Sequence, residues 1–367
     1  MSTNLKNSRS LRLTLALIIP FALLCYLYSW NQTPTLVSSP ATPQSFETTT
    51  GAGGSVSISV PPTGPSTSNS HPTTSAAPVW HSAKFDNLSE NQREWTGSWT
   101  KKNPSFRQEL LTDRSAEAFV RAHYFKRRPD IVEVYEALPI PILRADLFRY
   151  LVVLAEGGIW GDLDTSCEKD VAEWVPLEYR NENIDMIVGL EFDIEWRGPE
   201  TEVASQFCNW VFVGRKSSRN LQIIVDTVVN KLKGIAKANA VGIEGITLEM
   251  LSDVVEVTGP KIMTVAIMES LGQLLGRKVD DRDFAHTKQP KLVGDVLIMP
   301  GVSFAALQNG NPTDQGDPLV THHYEGSWKK EDAEAKERKK QKQEQEEQQQ
   351  QQQEGSPPPP AAAGAAA

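Results

Sequence analysis

Only one stretch of this 367-residue chain has the mixed composition that a folded core needs, and strongly biased segments flank it on both sides. From Gln32 to about Ala77 the residues are dominated by Ser, Thr, Pro and Gly, and Glu47 is the sole charge. Such a segment buries too little apolar surface to offset its ordering entropy, so residues 31–77 read as a flexible, disordered stalk. Residues 330–367 pass from a Lys/Glu/Gln-rich run into a glutamine tract, four prolines and an alanine-rich end. They read as a low-complexity tail, helical at most in its Lys/Glu/Gln part. What remains, residues 78–329, is the size of one large domain.

The N-terminus carries Lys6, Arg9 and Arg12 and no acidic residue before Glu47. Leu13 to Trp30 then form an uncharged, mostly apolar run of about the minimum length that spans a bilayer. Tyr26, Tyr28 and Trp30 gather at its far end, as interfacial anchors do. A cleaved signal peptide is the competing reading, but its apolar region is shorter and followed by small residues. The expectation is a transmembrane signal anchor at 13–30, a cytosolic tail at 1–12 and a luminal remainder: a single-pass type II protein. Asn31-Gln32-Thr33 and Asn87-Leu88-Ser89 are N-glycosylation sequons that suit this placement.

Charge and cysteine content exclude several classes. A net charge of −9 argues against nucleic acid, which binds basic faces by counterion release. Three cysteines cannot build a disulfide framework or a four-cysteine zinc module. Cys167 and Cys208 either pair with each other or stay as free buried thiols. No Gly-x-Ser-x-Gly elbow, His-Glu-x-x-His helix or P-loop is present.

Periodicity in the central stretch predicts helices at 115–123, 142–156, 219–233 and 260–275, and strands at 159–162, 186–190, 210–213 and 296–299. This alternation points to an α/β sheet. Its most informative part is Pro141 to Cys167, PILRADLFRYLVVLAEGGIWGDLDTSC. Leu143, Leu147, Leu151 and Leu154 recur at helical spacing and should face the core. Asp146 and Arg149, three apart, share the opposite or a flanking face, where a surface i,i+3 salt bridge is the alternative to a role in the site. Gly157-Gly158 can end the helix, and Ile159-Trp160 opens a buried strand leading to Asp162-Leu163-Asp164.

Two carboxylates at i and i+2 at the mouth of a strand can share a hard divalent ion with a bound diphosphate. With 18 aspartates, chance alone gives about one Asp-x-Asp, and the chain has two. The second, Asp281-Arg282-Asp283, lies in a polar run and reads as a solvated loop. For the first, the preceding helix, diglycine and strand supply the context that an isolated match lacks.

The stretch ALPIPILRADLFRYLVVLAEGGIWGDLDTSC resembles the core of the family 32 glycosyltransferases with Asp-x-Asp motifs, and especially the fungal Golgi initiation-specific α-1,6-mannosyltransferases. The likeness extends upstream through SWTKKNPSFRQELLTD and downstream through QFCNWVF, TGPKIMTVAIM and HHYEGSWK. It departs at the start, where Val79-Trp80-His81-Ser82-Ala83 stands in place of the family's Ile-Trp-Gln-Thr-Trp.

The resemblance implies an α/β GT-A-type nucleotide-sugar-binding fold, one catalytic domain behind the anchor and stalk, in the Golgi membrane. Asp162 and Asp164 would hold Mn²⁺ or another divalent cation with the donor diphosphate, and His322 would be a further metal ligand or diphosphate contact. His323 is the lesser choice. Asp146 and Arg149 would contact the donor sugar, and Gly326, Ser327 and Trp328 would close over it. The implied reaction is retaining transfer of mannose from GDP-mannose, in α-1,6 linkage, to N-glycan or mannan acceptors. Partner transferases would be possible associates. Two alternatives stay open: a mannosyltransferase acting on a sphingolipid or another acceptor, and a structural subunit of a mannan-synthesising complex.

Overall fold

The computed structural model describes residues 77–194, 203–306, 315–326, 333–334 and 336–341. The expected anchor at 13–30, most of the stalk, Ser327, Trp328 and most of the tail lie outside the described residues. Among the described residues no helix is long and apolar enough to cross a membrane.

The chain is a mixed α/β protein with a central sheet. In order its elements are β1 (Pro78–Ala83), α1 (Glu90–Lys102), β2 (Arg107–Thr112), α2 (Asp113–Tyr124), α3 (Pro129–Ala137), α4 (Pro141–Glu156), β3 (Gly158–Gly161) and β4 (Thr165–Cys167). There follow β5 (Met186–Asp193), β6 (Ser205–Phe207), β7 (Val211–Gly214), α5 (Arg219–Ala238), α6 (Val254–Val257) and α7 (Pro260–Leu275). The last are β8 (Lys291–Val293), β9 (Val296–Met299), α8 (Gly301–Ala305) and β10 (Val320–His322). The main sheet runs β2-β1-β3-β7-β5-β9-β8, with β6 paired to β5, and β10 pairs with β4 apart from it.

Strand side chains alternate between two buried clusters, one on each face. Trp80, Trp160, Phe212, Met186, Val188, Val296 and Ile298 enter the larger cluster, with α2 to α5 and α7. Their neighbours Val79, Ile159, Val211, Val213, Ile187, Leu297 and Met299 enter the other, with Trp99, Trp174 and Phe304. A sheet covered on both faces reads as near-continuous apolar runs, which is what IVGL and VLIM show.

Local signals set the element ends. Ser89 and Gln92 form a reciprocal capping box on α1, and Thr112 and Ser115 do so on α2. Proline opens α3, α4 and α7, where its missing N–H costs nothing. Gly157 caps α4 at φ 69°, and Gly158 follows at φ 108°. A Cβ on Gly158 would stand 2.4 Å from the Pro78 carbonyl oxygen, so the diglycine also lets β3 lie against β1.

The four expected helices and four expected strands are present, with ends moved by a few residues. One alternative reading falls and one expectation needs correction. Asp146 and Arg149 do not form a surface pair: they are 3% and 5% exposed, because α4 is covered on nearly every side. Asp281 is not in a solvated loop. It is 1% exposed and accepts the Ala204 and Ser205 N–H groups at 2.6 and 3.2 Å, tying β6 to a short 3₁₀ turn.

Candidate active site

Strand directions place the chemistry. β3 runs parallel to β1 and antiparallel to β7, and β7 runs antiparallel to β5. The C-terminal ends of β1, β3 and β5 therefore share one edge of the sheet, the edge at which open α/β sheets bind ligands. Asp162 leaves β3 at that edge, and Asn209-Trp210 enters β7 beside it.

The turn from Asp162 to Thr165 is fixed at many points. The Asp162 N–H donates to the Trp210 carbonyl at 2.9 Å, and Thr165 Oγ1 donates to the Asp162 carbonyl at 2.6 Å. Trp99 Nε1 donates to the Thr165 carbonyl at 3.1 Å. His81 takes the last β3 carbonyl, Gly161, at 2.6 Å. A carbonyl only accepts, so the His81 proton is on Nδ1. Burial pushes this imidazole down to about 4, against the opposing pull of the Gly161 bond, so the ring is neutral near pH 7.

The Asp162 carboxylate receives Trp160 Nε1 at 2.7 Å and lies 3.5 Å from Arg149 Nη2. The same Arg149 nitrogen is 3.0 Å from Asp146, and Nη1 donates to the Asn209 carbonyl at 3.0 Å. Asp146 also accepts Thr258 Oγ1 at 2.8 Å and Asn209 Nδ2 at 3.3 Å. The sequence-derived pair is thus a buried brace joining α4 to the carboxylate turn, β7 and the start of α7. Burial works against the Arg149 charge, but Asp162 and Asp146 outweigh it and its pKa is raised. Burial pushes Asp162 up, helped by the nearby Asp164 and opposed by Arg149, Trp160 and His322. A buried ion pair gains only if its remaining polar atoms are satisfied, and Thr258 and Asn209 do that for Asp146.

Asp164 faces the C-terminal segment. His322 Nε2 lies 3.3 Å from its carboxylate, the Glu325 N–H donates to Oδ2 at 2.9 Å, and the His323 N–H donates to its backbone carbonyl at 2.7 Å. Burial would raise Asp164, yet His322 and the Glu325 N–H prevail and hold it below the usual carboxylate range. The His322 ring sits 3.7 Å from Tyr324 and 4.4 Å from Trp210, centroid to centroid. His323 turns the other way, stacked on Trp95 at 4.2 Å. Gly326 closes the described segment at φ 56°.

The structure therefore brings Asp146, Arg149, Asp162, Asp164 and His322 to one place. Among the described residues no group of three or more His, Cys, Asp or Glu side chains converges as a metal cage. The residues overlooked in the sequence are His81, Trp160, Asn209, Trp210, Thr258 and Tyr324. Asn209 and Thr258 stand in the QFCNWVF and TGPKIM segments that carried the resemblance, so a signal was there without an assigned role.

Residues 89–181 match the family described as glycosyltransferase sugar-binding region containing DXD motif. The single Asp-x-Asp in that span is Asp162-Leu163-Asp164. The chain is 32% identical over 258 residues to an initiation-specific alpha-1,6-mannosyltransferase of Schizosaccharomyces pombe, covering 68% of this chain and 63% of that protein. It is 29% identical to the putative glycosyltransferase HOC1 of Saccharomyces cerevisiae, over 68% and 64% of the two chains. It is 28% identical to an initiation-specific alpha-1,6-mannosyltransferase of Candida albicans, over 63% and 65%. The chain thus spans slightly less than two thirds of the length of these relatives. The resemblance to the Asp-x-Asp glycosyltransferases read from the sequence is borne out.

Proposed function

We propose that the protein is a metal-dependent, retaining glycosyltransferase of GT-A type that moves mannose from GDP-mannose, in α-1,6 linkage, to an N-glycan or mannan acceptor in the Golgi. The observation that carries this reading is the buried Asp146–Arg149 brace against Asp162, beside Asp164 at the ligand-binding edge of the sheet. The names of the relatives support a transferase and a mannosyl donor.

The residues suit a divalent cation. Two carboxylates are too few for an all-protein cage, but a Mg²⁺- or Mn²⁺-like ion takes its other ligands from phosphate and water. Asp162 and Asp164 would hold it, with His322 beside Asp164 as a diphosphate contact, and when bound it would supply charge neutralisation to the departing diphosphate. The protein's own work is then positional. Arg149, fixed on three sides, presents a permanent cation beside Asp162 and orients the donor sugar together with Asp146. The turn pinned by His81, Trp99 and Thr165 keeps both carboxylates from wandering, which is where a rate advantage from orientation arises. His322 and Tyr324 would cover the donor on the Asp164 side.

The test is to incubate the full chain in detergent with Mn²⁺, a panel of nucleotide sugars and a high-mannose glycan. Release of GDP with a gain of one hexose on the glycan supports the reading. Transfer from another nucleotide sugar, or to a lipid acceptor alone, replaces the mannan assignment. No donor turnover from a folded protein removes it.

A further inference from the structure

The sequon Asn87-Leu88-Ser89 is a chemical signal that the candidate site does not use. It lies in the connection from β1 to α1, which leaves the sheet at the same edge as Asp162, because β1 and β3 are parallel. Asn87 is exposed, in a short stretch that is neither helix nor strand. The Leu88 N–H donates to the Asp86 carbonyl at 3.1 Å and bends the chain around Asn87. Ser89 then caps α1 by accepting the Gln92 N–H at 3.1 Å. The sequon hydroxyl is needed only while a glycan is attached to the unfolded chain, so the fold is free to reuse it as a cap.

Phe85 stands two residues before Asn87 and is 62% exposed, with Lys84 Nζ 5.5 Å from its ring centre. A single exposed phenylalanine is ordinary on a protein surface. Its place beside the sequon is what supplies an occupant. Two residues span at most about 7 Å of chain, so the ring is within reach of the first sugar carried on Asn87. One face of an N-acetylhexosamine presents only C–H groups. Those groups suit the negative face of a phenyl ring, and covering the ring removes apolar surface from water. The connection continues into α1, where Gln92 Nε2 donates to Glu325 Oε2 at 2.7 Å. The Glu325 N–H in turn reaches Asp164. A glycan on Asn87 therefore stands at the rim of the candidate active site, on the side of the C-terminal segment.

We propose that Asn87 carries an N-linked glycan whose first N-acetylhexosamine packs on Phe85 and steadies the β1–α1 connection. In the attachment step the Asn87 amide nitrogen replaces the diphosphate at C1 of a lipid-linked oligosaccharide. The N–C1 bond forms, the C1–O bond breaks, and the amide proton leaves with the diphosphate. The inference rests on the luminal placement within the proposed function and adds to it a modification site with a packing partner. Only the first sugar touches the ring, so the outer sugars contribute nothing to stability.

The test uses the full chain made in a eukaryotic secretory host, in an Asn31→Gln background that leaves Asn87 as the remaining sequon. Mass spectrometry of the Asn87 peptide reads occupancy, and endoglycosidase trimming leaves a single sugar in place. Thermal melting in detergent reads stability. Expected are an occupied Asn87, a melting temperature unchanged by trimming, and a fall of about 2–4 °C in Asn87→Gln. Phe85→Ala should cause a similar fall in the glycosylated protein and no further fall in Asn87→Gln. An unmodified Asn87 in a chain that protease protection places in the lumen overturns the proposal. Additive losses in the double variant overturn it too, since ring and sugar would then act apart. A chain found outside the lumen removes the placement itself, and the modification with it.

Discussion

Asp164 and His322, 158 residues apart in sequence, meet at 3.3 Å, and the Glu325 N–H reaches the same carboxylate. One aspartate thereby ties the Asp-x-Asp turn to the C-terminal segment His322–Glu325. Asp164→Asn keeps the size and one acceptor oxygen but removes the charge. Transfer with Mn²⁺ is expected to fall on the order of 100-fold or more, with the melting temperature lowered by only a few degrees. Retained activity in a folded Asp164→Asn protein would remove this turn from the mechanism.

Arg149 is the structural counterweight to Asp146 and Asp162. Arg149→Met fills similar volume and leaves both carboxylates uncompensated in a mostly buried setting. Urea unfolding is expected to show a loss of about 3–5 kcal/mol, the usual consequence of breaking a buried pair. A loss under about 1 kcal/mol would mean that the brace carries no more weight than a surface pair.

His81 makes stability depend on pH. Its folded pKa of about 4 lies below the ordinary histidine value of 6.5, so only the unfolded chain takes up the proton between those limits. The contribution is complete above pH 6.5 and is lost as pH falls toward 4, by about 3 kcal/mol in total. His81→Gln retains an N–H donor for the Gly161 carbonyl and does not titrate. The stability difference between the two proteins should therefore be constant above pH 6.5 and move against the wild type, by up to about 3 kcal/mol, as pH falls from 6.5 to 4. Parallel curves across that window would refute the buried neutral imidazole.

Asp281 belongs to the second Asp-x-Asp, and its carboxylate is spent on two backbone N–H groups. Asp281→Ala is expected to lower stability by about 1–3 kcal/mol while leaving the metal requirement of transfer unchanged. An altered Mn²⁺ dependence would show that both Asp-x-Asp pairs serve the cation.

The carboxylate turn was legible in sequence because its determinants are local. The leucines of α4, the diglycine and the short apolar strand all lie within 27 residues of one another. Asp146 and Arg149 were legible as a pair but not as a buried one, since helical spacing says nothing about what covers the helix. Asn209, Thr258 and His322 reach the site from positions 45 or more residues beyond Asp164, which only sheet order and strand direction bring together. Asp281 misled for the same reason: polar neighbours in sequence suggested solvent, while its partners come from β6.

Cys208 and Cys167 are 0% and 1% exposed, in the same apolar cluster. Burial pushes the Cys167 thiol up to about 11 and Cys208 further still. Only the thiolate attacks an alkylating reagent, so neither sulfur reacts while the fold is shut. Cys167 lies three residues beyond Asp164, on the short strand that pairs with β10. In a Cys25→Ser, Cys208→Ser background, the rate of iodoacetamide uptake becomes a stopwatch for opening of the active-site turn. It would run without donor, acceptor or metal, and binding of a nucleotide would be read as the clock slowing down.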